Sequence, residues 1–322
     1  MSFELYPLTF TPILKEKIWG GTKLKSLLNK SILEGNAGES WEISTVEGDV
    51  SIVAEGAYKG ESLDGLIHRF PSEILGTRVV QQFGEQFPLL FKYIDAKEDL
   101  SIQVHPNDEL ARKRHNSFGK TEMWYVMQAD PKARLIIGFK EGANQEKYLA
   151  HLADKTLVSI LNEVEVAKGD TFFLETGTIH AIGAGVVLAE IQQTSDITYR
   201  VYDWDRLDDA GNERELHVDL ALDAINYAPS HAERPYDKAI NQDNLIVECQ
   251  YFTTNYLVLD ENLEVHKTNE TFTVYMIIEG ECTINSNGVR YSYKKGDTVL
   301  IPANLTHYNL EGKAEVLEIF IS

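Results

Sequence analysis

Gln103 and His105 stand two apart in Ser101-Ile102-Gln103-Val104-His105-Pro106, so on a strand both side chains leave one face while Ile102 and Val104 leave the other. Alone, such a pair reads as a solvated strand face. Gly119-Lys120-Thr121-Glu122-Met123-Trp124 sets an ammonium and a carboxylate at the same spacing, and a third histidine-bearing segment ends at His180. Neutral imidazoles, one carboxylate and an amide oxygen form a nitrogen–oxygen donor set that suits zinc, and a single carboxylate leaves the bound ion with a net charge of about +1. A cation of that kind polarises a substrate oxygen.

The elements that must carry these residues are mostly strands. Apolar runs with β-branched and aromatic enrichment recur at Ser51–Ala54, Leu89–Ile94, Trp124–Met127, Leu135–Phe139 and Tyr256–Leu259. Helical patterns interrupt them at Leu63–Leu75, Asp108–His115, Gln145–Leu161 and Val218–Ile225, with Asn107 placed to cap the second. Gly169-Asp170-Thr171 through His180 matches Gly296-Asp297-Thr298 through His307 without a gap. Each copy reads as a Gly-Asp turn, an apolar strand, a second turn and an inward-facing histidine, which resembles the second motif of cupin barrels. The expected fold is therefore mainly β, with two cupin (jelly-roll) barrels and helical inserts in the first. The polar segment Ala228–Asn244 is the expected boundary, giving residues 1–244 a metal-binding barrel and 245–322 a barrel without a metal site. Aligning Tyr125 with Tyr275 sets Phe272 opposite Glu122, and only His307 survives of the donor set, so it reads as a core or rim histidine.

The 322 residues carry 30 Lys plus Arg against 50 Asp plus Glu, a formal charge of −20, which argues against nucleic acid or an anionic membrane as partner. Cys249 and Cys282 are too few for a disulfide framework and read as buried thiols in a reducing compartment. The opening Met1–Phe10 has no basic segment leading a long apolar run, so the expected location is cytoplasmic. Oligomeric state, monomer or dimer, stays open.

The motifs at 101–106, 119–124 and 177–181, with Glu190, Ser195–Arg200 and Trp19-Gly20-Gly21, resemble the type I mannose-6-phosphate isomerases in their short bacterial double-cupin form. The resemblance implies one zinc ion held by Gln103, His105, Glu122 and His180, and interconversion of mannose 6-phosphate and fructose 6-phosphate. That reaction moves a proton between two carbons through an enediolate. It needs a proton carrier, a cation beside the oxygens, and a fixed phosphate. Arg200 fills the cationic role by this resemblance, and Glu190 and Lys120 both stand as proton carriers. Glu39 matches an acidic position suited to ring opening or hydroxyl binding. Lys92 and Ser101, with Lys120, resemble the phosphate-side residues, with Arg206 beyond the clear match and Trp19 as a further substrate contact. Against a chain of net −20, the cations should gather in one pocket. Two other readings share the scaffold. A non-haem metal oxygenase would use His105, His180 and Glu122 alone, and a phosphosugar-binding module would need no chemistry.

Overall fold

The computed structural model describes residues 3–31, 35–207 and 211–322. Up to residue 207 the strands are β1 (Ile13–Lys15), β2 (Glu39–Ile43), β3 (Thr45–Val46), β4 (Asp49–Val50), β5 (Leu89–Ala96), β6 (Ile102–Val104), β7 (Glu122–Ala129), β8 (Arg134–Phe139), β9 (Leu161–Glu165), β10 (Thr171–Leu174), β11 (His180–Ile182), β12 (Val186–Gln193) and β13 (Tyr199–Tyr202). Then follow β14 (Asn244–Glu248), β15 (Thr253–His266), β16 (Thr273–Ser286), β17 (Val289–Lys294), β18 (Thr298–Ile301) and β19 (His307–Phe320). The protein is mainly β.

One sheet runs β1-β2-β5-β12-β7-β10 and a second runs β13-β6-β11-β8-β9. Ile94, Trp124, Val126 and Leu188 of the first pack with Leu135, Ile137 and Ile182 of the second, so the two sheets share a core. The C-terminal sheet runs β14-β15-β19-β16-β17 with β18 added on β16, around a core that includes Leu257, Ile277, Val299, Leu310 and Val316. A third cluster joins the halves: Phe91, Tyr93, Tyr125 and Ile191 lie with Tyr256, Val274, Met276 and Leu317. Strands β5 and β12 are accordingly buried along their whole length, which is why they read as nearly unbroken apolar runs. A charge inside such a strand is costly unless paired, so Lys92 and Glu190, facing each other across β5 and β12, mark a site.

The helices depart from the periodic reading where local chemistry overrides it. The expected Leu63–Leu75 helix is two, Leu63–Arg69 and Pro71–Ile74, because Pro71 lacks the N–H that would continue the first and instead opens the second. Asp108–His115 is a helix as expected, with Asn107 Oδ1 accepting from Leu110 N at 2.9 Å. Gln145–Leu161 shortens to Gln145–Ala153 followed by a 3-10 turn at Leu157–Ile160, and Leu161 already begins β9. Val218–Ile225 ends at Leu222. Helices at Lys23–Leu28 and Thr77–Phe83 were not anticipated, and Ser51–Ala54 makes only the isolated bridges Phe10 to Val53 and Ile52 to Ser62. Among the described residues no helix is long and apolar enough to cross a membrane.

The repeat is real in three dimensions. Gly169 and Gly296 both take positive φ, +97° and +91°, and in each copy the following aspartate accepts a backbone N–H three residues back, from Ala167 at 2.8 Å and Lys294 at 2.9 Å. The strands that follow, β10 and β18, pair with β7 and β16. Register corrects the alignment made through tyrosine: Leu174 faces Glu122 and Ile301 faces Thr273, so Thr273 rather than Phe272 is the counterpart of Glu122. The closing histidines also differ, since His180 is buried while His307 is exposed, packed edge-on against His266 at 4.2 Å. Cys282 is buried and Cys249 half-buried, and both are free.

Candidate metal centre and active-site pocket

Three strands and one turn deliver the donors. His180 opens β11, paired with Gln103 on β6, while Glu122 opens β7 and His105 follows β6 directly. One donor atom each from His105, Glu122 and His180 lies within 4.8 Å of the others, all three residues buried. His105 Nδ1 is bonded to Ile197 O and His180 Nδ1 to Thr178 O, each at 2.8 Å, so both rings donate outward and turn an unprotonated Nε2 inward. Burial and the nearby Lys120 ammonium hold His105 well below the usual imidazole value and His180 down at about 4, which keeps both neutral.

Glu122 Oε1 is buried without a hydrogen-bond partner, 3.4 Å from His180 Nε2; the Gln103 amide nitrogen is 3.3 Å from that same ring nitrogen, and Lys120 Nζ lies 3.2 Å from His105 Nε2. An orphaned buried carboxylate oxygen set against two imidazole nitrogens that carry no proton is an arrangement a cation would satisfy. The donor set fits a divalent metal. Burial raises the Glu122 carboxyl above its ordinary value even though Lys120 pulls it down, and a bound dication would reverse that.

A cavity of about 310 Å³ opens beside the cluster. Lys15, Lys17, Lys92, Lys120, Arg200 and Arg214 line it against Glu39, Asp49, Glu190 and Asp196, an excess of cations in a chain of net −20. The expected gathering of positive charge is there. Glu190 Oε1 lies 3.1 Å from Lys92 Nζ and 3.6 Å from Lys120 Nζ, and its Oε2 accepts from Trp124 Nε1 at 2.9 Å. Burial alone would raise this carboxyl, but Lys120, Lys92 and the indole N–H together hold it far below its ordinary value. Lys120 also bonds Glu122, and burial, which would lower its ammonium, is overridden by Glu122 and Glu190. Glu39 accepts from Trp41 Nε1 at 2.7 Å and lies 3.2 Å from Lys17; burial opposes its charge, yet Lys92 and Lys17 hold it low.

Arg200 on β13 donates to Glu215 O at 2.8 Å, and its Nε is buried without a partner. Among the described residues it is the one lining cation with no carboxylate within 4.0 Å. Trp19 and Ser101 line the cavity. Arg206 does not: it is drawn onto Asp203 at 2.6 Å, and Arg214, bonded to the same carboxylate, reaches the cavity instead. Lys15, Lys17 and Trp41 were also missed, although Lys15 with Lys17 and Glu39 with Trp41 repeat the two-residue spacing used for Gln103 and His105. Arg214 left no such signal, because a loop brings it in.

A brace holds the Lys120–Glu122 segment. Asp108 Oδ1 accepts from Gly119 N at 2.8 Å and Gln193 Nε2 at 3.0 Å, while Gln193 Oε1 accepts from Thr121 N at 2.9 Å. Tyr251, from the C-terminal half, donates its hydroxyl to Asp108 Oδ2 at 2.6 Å.

Paired sheets with a buried His-Glu-His cluster that could hold a metal ion, beside a cation-lined pocket, define a protein of the cupin kind. Residues 8–134 match the family model for the phosphomannose isomerase type I catalytic domain, and residues 242–321 match that for the mannose-6-phosphate isomerase cupin domain. The mannose-6-phosphate isomerase ManA of Bacillus subtilis is 38% identical over 97% of this chain and 98% of its own, and the mannose-6-phosphate isomerase of Streptococcus mutans is 33% identical over 97% of each. The crystal structure of the mannose 6-phosphate isomerase from Bacillus subtilis superposes with a TM-score of 0.88, 32% identity, 97% of this chain and 99% of that one. The chain belongs to the type I phosphomannose isomerase family.

Proposed function

We propose that this chain is a zinc-dependent aldose–ketose isomerase, with one ion per chain, that interconverts mannose 6-phosphate and fructose 6-phosphate through an enediolate. The observation that carries the reading is the neutral-imidazole, single-carboxylate cluster set against a cation-lined pocket in a strongly acidic protein. A divalent ion held by His105, Glu122, His180 and the Gln103 amide would supply positive charge where the enediolate oxygens become negative. The chain's own groups do the rest. Glu190 and Lys120, 3.6 Å apart, are the two proton carriers within reach of one bound sugar, either of which could shuttle a proton between adjacent carbons. Arg200, with no carboxylate within 4.0 Å among the described residues, opposes the same developing charge. Lys92, Ser101 and Arg214 offer donors to the phosphate, Glu39 accepts from a sugar hydroxyl, and Trp19 and Trp41 wall the pocket. The repeat and the two separate cores support two barrels, residues 1–244 bearing the chemistry and 245–322 without a metal.

Metal analysis with an isomerase assay before and after chelation tests this reading. Activity should disappear with the metal and return with zinc; metal-free protein turning over at full rate would refute it. Glu122→Ala should lose metal and activity together, whereas Arg200→Ala should keep metal and lose turnover. Full metal content in the Glu122 variant contradicts the donor assignment. Glu190→Gln and Lys120→Ala pH–rate profiles then separate the two carriers, since an unchanged profile removes that residue from the role.

A further inference from the structure

The strand register that aligns Thr273 with Glu122 also finds a counterpart for Glu190. In the first half Glu190 faces Trp124 on one side and Lys92 on the other. In the second, Glu318 faces Tyr275 and Asn255 in the same arrangement. The contacts repeat as well as the positions. Trp124 Nε1 donates to Glu190 at 2.9 Å and Tyr275 OH donates to Glu318 at 3.0 Å, while Lys92 lies 3.1 Å from Glu190 and Asn255 Nδ2 donates to Glu318 at 3.0 Å. Tyr308 OH extends the network to Tyr275 OH at 2.8 Å. Thr253, whose buried Oγ1 has no partner, stands two residues from Asn255 on the same strand face.

This polar end of the C-terminal core opens into a cavity of about 610 Å³. Thr273, Tyr308 and Glu318 lie on its wall with Lys267, Asp243 and Phe320. Lys267 is half-buried, with Nζ donating to Thr271 O at 2.7 Å, and burial followed by the proximity of Asp243 raises the Glu318 carboxyl. The lining charge is opposite to that of the first pocket. Arg78 and Lys267 meet Asp243, Glu264, Glu270 and Glu318, and Arg78 is committed to Glu270. A phosphate dianion has no place there. Hydroxyl groups do, since they donate to Glu318, Asp243 and the Tyr308 hydroxyl oxygen and accept from Lys267, with the rings of Tyr308 and Phe320 as apolar walls.

We propose that the C-terminal half carries a second small-molecule pocket, a counterpart of the first built on the internal repeat, that binds an uncharged polyhydroxylated ligand of the sugar or sugar-alcohol class. It is independent of the isomerase reading and needs no metal. For a ligand of about a dozen heavy atoms the expected affinity is on the order of millimolar.

Saturation-transfer NMR on the zinc-loaded full chain tests it, with D-mannitol and D-mannose as probes. A saturating equilibrated mixture of mannose 6-phosphate and fructose 6-phosphate is present throughout to occupy the first pocket. The probe signal should persist under the phosphosugars and fall at least about fivefold in Glu318→Ala, as when one hydrogen-bonding partner is removed. Leu263→Trp, at the half-buried rim of the cavity, should abolish it by filling the space, and this variant decides the matter if Glu318→Ala fails to fold. No signal from either probe, a signal that the phosphosugars displace, or one unchanged in Leu263→Trp would overturn the proposal.

Discussion

Lys267 should destabilise the folded chain at neutral pH and cease to do so in alkali, and Lys267→Met measures the amount. Burial pushes this ammonium from 10.5 down to about 8, with Glu318 only partly countering it. For a base whose folded value lies below its unfolded one, the unfolded chain binds more protons between the two values, so stability rises with pH across that window. Below about 8 both states are charged and the whole penalty is present; the gap between 10.5 and about 8 corresponds to about 3 kcal/mol at 1.36 kcal/mol per pH unit. Between pH 7 and pH 9.5 about 2 kcal/mol of that is relieved. Urea unfolding of wild type and Lys267→Met at both pH values reads Lys267 together with its partner Glu318, because the titrations of groups that do not interact with Lys267 are common to the pair. The methionine variant should hold an advantage that shrinks by about 2 kcal/mol as the pH rises. A difference that stays flat, or grows, would mean that the ammonium is solvated in the cavity and the reasoning from burial is wrong.

Two further outcomes follow from buried polar contacts that join the halves. Lys30 Nζ donates to Glu42 at 2.7 Å and to Gly296 O at 2.6 Å, both side chains buried, so Lys30→Met should lower stability by about 3–5 kcal/mol by stranding the carboxylate. Chemical denaturation should show most of that loss restored in Lys30→Met with Glu42→Leu; a double variant no better than the single one would contradict the account. Tyr251→Phe removes the hydroxyl that secures Asp108, and zinc affinity measured by chelator competition should weaken on the order of tenfold through the loosened Gly119–Glu122 segment. Unchanged affinity and unchanged kcat/KM would show that Asp108 holds that segment without help.

Much of the site was legible because its residues lie at strand spacing. Gln103 with His105 and Lys120 with Glu122 share faces by period alone, and the repeat delivered His180 to the same place. Tyrosine misled the alignment of the halves, since Tyr125 and Tyr275 are core-filling residues that do not hold equivalent registers; the backbone pairing does. Pro71 advertised the helix break, yet apolar spacing on either side of it reads as continuous. Arg214 could not be found because its approach depends on Asp203 and on a loop path that no periodicity encodes. The exposure of His307 likewise depends on how far β19 extends beyond the C-terminal core.

Strands β5, β7 and β12 act as a party wall. One side carries Lys92 and Glu190 into the pocket with Trp124 bonded behind Glu190, and the other carries Phe91, Tyr93, Tyr125 and Ile191 into the seam with the C-terminal sheet. Residues one position apart on the same backbone thus serve different rooms. A methyl group lost from Met276 or Leu317 shifts the wall from behind, and the carboxylate and ammonium mounted on it move together with the plaster. Variation that alters turnover should therefore accumulate along this seam as well as around the pocket, and trimming the chain to its first half would leave the chemistry mounted on a wall with no house on its far side.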